Sequence, residues 1–86
     1  NMTPAEYDAW YNTDRGRWIG KTEYRLLIDL LKPQPGDYLL DVGCGTGWFT
    51  RRFALITGVE VIGTDIDPEA LIFAQEHDGH SRYMQA

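Results

Sequence analysis

Residues 39–49 read Leu-Leu-Asp-Val-Gly-Cys-Gly-Thr-Gly-Trp-Phe, a short apolar run that leads into three alternating glycines. An apolar run bounded by glycines is typical of a buried strand, and the glycines let the backbone approach another group closely. After Gly47, the side chains of Phe49, Phe53 and Ile56 recur at helical spacing. The sequence therefore predicts a strand, a glycine turn and a helix.

A second apolar run, residues 59–65, follows Gly58 and predicts a second strand. A strand, a helix and a strand of these lengths form a parallel βαβ crossover, which binds its ligands beyond the carboxyl ends of the strands. Asp65 lies at that end, 20 residues after Gly45. At about this separation an acid reaches the ribose hydroxyls of a bound nucleotide. We therefore expect a nucleotide-like ligand between the glycine turn and Asp65.

The spacing of the glycines bears on which nucleotide binds. The dinucleotide fingerprint is Gly-x-Gly-x-x-Gly, whereas this chain has Gly43-x-Gly45-x-Gly47 and carries Trp48 where the third glycine would stand. The tryptophan disfavours a pyrophosphate at this position. An NAD(P)-dependent oxidoreductase is the alternative that the βαβ unit leaves open.

Two motifs, Leu-Leu-Asp-Val-Gly-Cys-Gly-Thr-Gly at 39–47 and Val-Ile-Gly-Thr-Asp-Ile-Asp-Pro at 61–68, resemble the cofactor site of class I S-adenosylmethionine-dependent methyltransferases. The resemblance implies an α/β fold, a Rossmann-like parallel sheet with flanking helices, and S-adenosylmethionine as the cofactor. The sheet of that family normally has seven strands. Residues 38–86 supply a βαβα unit and the start of a third strand at 82–86, so we expect a single partial domain, the N-terminal portion of the fold.

The same resemblance implies which residues contact the cofactor. The expected cofactor-binding residues lie at the ends of the two strands and just after them: Asp41, Gly43, Cys44, Gly45, Gly47, Asp65 and Ile66. The glycines would shape the loop against the methionine part of the cofactor, and Asp41 would organise its ammonium side. Asp65 would hold the ribose, and Ile66 would pack on the adenine.

Residues 1–32 predict two N-terminal helices. The first begins with Thr3 as N-cap and Glu6 completing a capping box. It carries an aromatic stripe, which usually packs as core. The alternative, implied by resemblance to the N-terminal lid of one branch of these methyltransferases, is that Tyr11 and Arg17 close over the methionine tail.

Residues 12–16 predict a turn-rich connector, and the second helix runs from Arg17 to a point before Pro33. The apolar residues expected to face the sheet are Ile19, Leu26, Leu27, Leu30 and Leu31. Farther along the chain, we expect Arg51 and Arg52 to lie on the solvated face of their helix.

Composition narrows the function classes. The chain has 86 residues and a net charge of −5, which excludes a polybasic nucleic-acid arm. No apolar run is long enough to span a bilayer, and we expect a cytoplasmic protein. The one cysteine forms no metal-binding pattern, and the pair His77 and His80 has no third ligand in reach, so we expect no metal site.

The resemblance to class I methyltransferases implies methyl transfer from S-adenosylmethionine, and we expect a small molecule as the methyl acceptor and neither nucleic acid nor membrane as a partner. No catalytic base is identified among these residues. The remaining alternative is a non-catalytic fragment that self-associates through the exposed edges of its short sheet.

Overall fold

The computed structural model describes residues 1–86, which form four helices and three strands. The helices are α1 (Pro4–Ala9), α2 (Asp14–Leu31), α3 (Trp48–Phe53) and α4 (Pro68–Glu76), and a 3₁₀ turn, Trp10–Asn12, joins the first two. The strands are β1 (Tyr38–Val42), β2 (Glu60–Asp65) and β3 (Arg82–Gln85). None of the helices has the length and apolar character of a bilayer-spanning segment.

The three strands form one parallel sheet in the order β1-β2-β3. Val42 at the end of β1 pairs with Thr64, one residue before the end of β2. The glycine turn that follows β1 and the acid that ends β2 therefore lie at the same edge of the sheet. The parallel crossover and the third strand beginning at Arg82 are both confirmed.

The main hydrophobic cluster lies between the sheet and helices α2 and α3, and Ala70, Leu71 and Ala74 of α4 are buried as well. The buried residues of this cluster are Phe53, Val59 and Val61, and Tyr24 and Ile28 of α2 pack against them. On the opposite face of β1, Tyr38, Leu40 and Val42 are 74%, 64% and 74% exposed. One face of the edge strand is thus apolar and open.

Helix α2 begins earlier than the sequence analysis expected. Thr13 is its N-cap, and the Thr13 hydroxyl accepts a 3.0 Å hydrogen bond from the Gly16 amide. This side-chain bond satisfies one of the amides that a helix leaves free at its start. The prediction that residues 12–16 form a connector is therefore wrong for residues 14–16, which belong to the helix. The predicted capping box at Thr3 and Glu6 is confirmed.

The packing face of α2 also differs from the prediction. Leu26, Leu30 and Leu31 are 58%, 80% and 53% exposed, so the leucines do not form the buried face. That face is formed instead by residues four apart, namely Gly16, Gly20, Tyr24 and Ile28. The cause is Trp48: a Cβ on Gly20 would lie 2.7 Å from its ring, so the missing side chain lets the large indole pack against the helix.

Candidate functional site

The glycine loop, residues 43–47, turns the chain sharply from β1 into α3. Its three glycines, Gly43, Gly45 and Gly47, have φ angles of 72°, 57° and 86°. These left-handed angles are strained for residues with a Cβ. The Cys44 amide donates a 2.8 Å hydrogen bond to the Thr64 carbonyl, which ties the loop to the end of β2.

Asp65 is bound directly to this loop. Its Oδ2 accepts a 2.8 Å hydrogen bond from the Gly45 amide, and its Oδ1 accepts a 2.9 Å bond from the Asp67 amide. Each carboxylate oxygen has two lone pairs, so both can accept a further hydrogen bond from a ligand. The acid and the glycine turn thus form a single polar wall.

A cavity of about 240 Å³ opens beside this wall. The glycine loop contributes Gly45 and Thr46, and the segment from the end of β2 into α4 contributes Asp65, Asp67 and Glu69. The N-terminal segment closes the other side with Met2, Thr3, Pro4 and Tyr7. Three carboxylates in one cavity favour a ligand that offers hydroxyl or ammonium donors over a phosphate.

Asp41 and Cys44 lie on the inner side of the loop. The Thr50 hydroxyl, fully buried, donates a 2.7 Å hydrogen bond to Asp41. Burial raises the pKa of Asp41, and the bond from Thr50 opposes this effect. Burial, with the charges of Asp41 and Asp65, raises the pKa of the Cys44 thiol to about 11. The thiol is therefore protonated at neutral pH.

Tyr83 of β3 packs against the same loop. Its hydroxyl donates a 2.6 Å hydrogen bond to Asp78. Burial acts to raise the pKa of Asp78, but the bonds from Tyr83 and from the amides of His80 and Ser81 outweigh it, so this pKa is lowered. Burial and Asp78 raise the pKa of Tyr83.

The arginines of α3 are held by specific contacts. Arg51 forms a 2.9 Å ion pair with Asp8 of α1 and donates a 2.8 Å hydrogen bond to the Thr46 carbonyl. The guanidinium of Arg52 lies 3.4 Å from the centre of the Trp48 ring, a cation–π contact. The expectation that both arginines lie on a solvated face is therefore wrong. Arg51 is held by the carboxylate of Asp8 in another helix, and Arg52 packs on the buried ring of Trp48.

Residues 39–85 match the family model described as a methyltransferase domain. The chain belongs to the methyltransferase-domain family. A probable fatty acid methyltransferase of Mycobacterium tuberculosis is 43% identical over 56 residues, which are 65% of this chain and 13% of that protein. A 23S rRNA uracil methyltransferase of a Shewanella species is 41% identical over 59 residues, 69% of this chain and 13% of that protein.

Among solved structures, a TehB-like SAM-dependent methyltransferase from Corynebacterium glutamicum superposes with a TM-score of 0.64 at 27% identity. The match covers 98% of this chain and 46% of that one. The chain therefore spans 13% of the two curated relatives and less than half of the solved one.

Within the methyltransferase domain, the structure brings some of the predicted site residues together. Gly45 and Asp65 line the cavity. The side chain of Ile66, next in the chain, is 79% exposed. Gly43, Cys44 and Gly47 belong to the same loop but do not line the cavity, and Asp41 faces α3.

Tyr11 and Arg17 lie apart from the cavity. The Tyr11 ring stacks on Trp48 with centroids 4.6 Å apart, and burial raises the pKa of its hydroxyl to about 12. Arg17 donates a 3.0 Å hydrogen bond to the Asn12 carbonyl. In the N-terminal segment it is Tyr7, not Tyr11, that lines the cavity.

Sequence reasoning missed Asp8 of the N-terminal segment and Thr46 of the glycine loop. The Thr46 hydroxyl donates a 2.8 Å hydrogen bond to Asp8, which is 38 residues away. Neither residue has a local pattern that predicts this pairing. The only signal in the sequence is a threonine between two glycines, whose side chain needs a partner once the loop folds.

Proposed function

We propose that this chain is the cofactor-binding part of an S-adenosylmethionine-dependent methyltransferase. The observation that carries the proposal is the 2.8 Å hydrogen bond between the Gly45 amide and Asp65, beside an open cavity in a methyltransferase domain. It joins the two motifs on which the family resemblance rests.

The residues present fit this cofactor. A Cβ placed on Gly43 or Gly45 would meet no atom within 4 Å, so the outer side of the loop is open to a ligand. Asp65 has the lone pairs to accept from two ribose hydroxyls. We propose that Gly43 and Gly45 face the methionine part while Cys44 and Gly47 shape the loop from its inner side. In this proposal Asp65 holds the ribose and the exposed Ile66 covers the adenine.

Asp41 acts from behind the loop in this proposal. Its carboxylate is bound to Thr50 and lies between β1 and α3, so it holds the loop against the helix and contributes negative charge on the ammonium side. The lid roles of Tyr11 and Arg17 have no support from their positions. Tyr7, on the cavity wall, is the better candidate for a lid residue.

S-adenosylmethionine, when bound, supplies a methyl group made electrophilic by the positive sulfur. The protein's part is then to orient the two reactants and to exclude water. Cys44 is protonated, and Asp41 faces α3 and does not line the cavity, so we assign neither as the base that accepts a proton from the acceptor.

For the acceptor we propose a small molecule. The relative named as a probable fatty acid methyltransferase supports this class, and the net charge of −5 opposes attraction of a polyanion. The relative named for 23S rRNA marks RNA as the competing class of acceptor.

The test is a calorimetric titration of the chain with S-adenosylhomocysteine. We expect saturable binding that Asp65→Ala weakens by at least about tenfold, because hydrogen bonds to a charged group contribute about 1.5–3 kcal/mol each. Asp29→Ala removes the same charge from the exposed side of α2 and should leave binding unchanged. Binding that survives Asp65→Ala, or NADH binding without a response to S-adenosylhomocysteine, would overturn the proposal.

A further inference from the structure

We infer that Asp8 is a positioning residue for the glycine loop and that, through Thr46 and Arg51, it couples the N-terminal helix to cofactor binding. The inference rests on the proposed function, since the ligand it concerns is the cofactor named there. Asp8 itself is not among the residues that line the cavity.

The three side chains form a closed set of hydrogen bonds. The Asp8 carboxylate accepts a 2.8 Å bond from the Thr46 hydroxyl and bonds of 2.9 and 3.1 Å from Arg51. Arg51 also donates to the Thr46 carbonyl at 2.8 Å. Both the hydroxyl and the carbonyl of Thr46 are thereby fixed from outside the loop.

Burial makes these contacts stronger than those of a surface ion pair. The side chains of Arg51 and Asp8 are 21% and 16% exposed, and Thr46 is 4% exposed. Hydrogen bonds to charged groups gain strength away from water, and a partner left unpaired there is costly. Loss of the Asp8 charge would leave the Arg51 guanidinium without its counterion.

The loop is held between two carboxylates. On one side Asp65 of β2 binds the Gly45 amide, and on the other Asp8 of α1 binds Thr46, the next residue. Because Gly45 and Gly47 flank Thr46 and have wide conformational freedom, the anchoring of Thr46 decides which loop conformation the chain keeps. A loop released at Thr46 would present Gly45 and Asp65 to the cofactor in several arrangements instead of one.

The same helix supplies a wall of the cavity. Tyr7 stands beside Asp8 and lines the cavity together with Gly45 and Asp65. The N-terminal segment has a second anchor, the stacking of Tyr11 on Trp48, which does not involve Asp8. Removal of the Asp8 charge should therefore loosen the loop and the cavity wall while the segment stays docked.

The experiment compares S-adenosylhomocysteine binding by the wild-type chain and by Asp8→Asn. We expect the affinity to fall by at least about fivefold, the lower bound of common coupling effects. Asp14→Asn makes the same change at an exposed acid of α2 and should bind as the wild type does. Added salt should change the difference between the wild type and Asp8→Asn only slightly, because a largely buried ion pair is screened much less than an exposed one.

A second pair of variants separates positioning from stability. Thr46→Val removes the hydroxyl at nearly constant volume, and Thr46→Ser keeps it. We expect Thr46→Val to lose affinity, and the double variant Asp8→Asn with Thr46→Val to lose no more affinity than Asp8→Asn alone. Thr46→Ser should bind as the wild type does. The inference is overturned if Asp8→Asn binds as tightly as the wild type. It is also overturned if the unfolded fraction of Asp8→Asn, measured by circular dichroism, accounts for the whole fall in its apparent affinity.

Amide chemical shifts of the ligand-free chain test the inference even if the proposed function fails. In Asp8→Asn we expect the ¹⁵N–¹H resonances of Gly45 and Thr46 to shift or broaden, whereas in Asp14→Asn they should stay in place. Unchanged loop resonances in Asp8→Asn refute the positioning role. Absence of S-adenosylhomocysteine binding in the wild type, with shifted loop resonances in Asp8→Asn, refutes the ligand and leaves the role of Asp8 in the loop supported.

Discussion

The hydroxyl of Tyr83 lies so close to Gly47 that a Cβ on this glycine would come within 2.8 Å of it. The hydroxyl also donates a 2.6 Å hydrogen bond to Asp78 and cannot move aside without losing that bond. The ring of Tyr83 contacts Gly63 of β2 in the same way, since a Cβ there would lie 2.9 Å from it. The glycine loop and the third strand thus fit together only because residues 47 and 63 lack side chains.

Gly47→Ala should destabilise the chain more than Gly45→Ala. Both residues have positive φ angles, 86° and 57°, so both substitutions carry the cost of left-handed backbone, roughly 1–2 kcal/mol. Only at Gly47 does the added Cβ also meet Tyr83 and Ala74, and overpacking adds about 1–3 kcal/mol. Urea unfolding of the two variants measures the difference. Equal losses of unfolding free energy in the two variants would show that Tyr83 moves aside at no cost.

Tyr83→Phe should raise the pKa of Asp78 towards its ordinary value of 3.8, because the carboxylate loses a hydrogen-bond donor. A carboxyl whose folded pKa is lowered stabilises the fold above its unfolded pKa, and this stabilisation is lost as pH falls through the folded pKa. The wild type should therefore be more stable than Tyr83→Phe at neutral pH, and the gap should narrow at acidic pH. Urea midpoints at the two pH values test this, and a gap that does not depend on pH would contradict it.

Local signals in the sequence account for much of the fold. Helix starts follow from short patterns such as Thr3 with Glu6, and Asp67 with Pro68, because caps bond to amides only two or three residues away. The proximity of Gly45 and Asp65 follows from a topological rule, since the carboxyl ends of neighbouring parallel strands share one edge. These features do not depend on which distant side chains meet.

Two of the misplaced features, the packing face of α2 and the ion pair of Arg51, depend on distant side chains, whereas the early start of α2 at its Thr13 cap is local. Helix α2 has two faces that could be buried, one rich in leucine and one marked by Gly16 and Gly20, and periodicity cannot choose between them. The glycine face is the buried one because the ring of Trp48 occupies the space where a side chain at residue 20 would lie. Likewise, the ion pair of Arg51 and Asp8 joins residues 43 apart, and no local pattern marks either partner.

Gly20→Ala should therefore destabilise the chain even though alanine favours helix. The gain in helix propensity is about 1 kcal/mol, whereas the new Cβ would lie 2.7 Å from Trp48 and 3.0 Å from Tyr11, an overpacking cost of about 1–3 kcal/mol. Leu30→Ala is the matched test of the other face. Because Leu30 is 80% exposed, its loss should change stability by no more than about 0.5 kcal/mol. A large loss in Leu30→Ala would refute the packing face described above.

Self-association of the 86-residue chain remains a prediction from its exposed sheet. Strand β1 lies at an edge, and its Leu40 and Val42 side chains are 64% and 74% exposed. Light scattering should detect dimers or larger species, and Leu40→Lys should shift the population towards monomer because a charge on an edge strand opposes pairing. A wild-type chain that stays monomeric at high concentration would contradict this prediction.

Cys44 should react slowly with iodoacetamide for as long as the chain is folded. Burial with the charges of Asp41 and Asp65 raises its pKa to about 11 from an ordinary 9.0, and only the thiolate reacts. At about pH 8 this lowers the thiolate fraction about 100-fold relative to the unfolded chain. The raised pKa also means that the fold is favoured below the unfolded pKa and loses stability as pH rises towards 11. Mass spectrometry of alkylation with and without urea measures the ratio, and Asp41→Asn should increase the folded rate by removing one of the charges. Equal rates with and without urea would show that the thiol is neither buried nor influenced by the two acids.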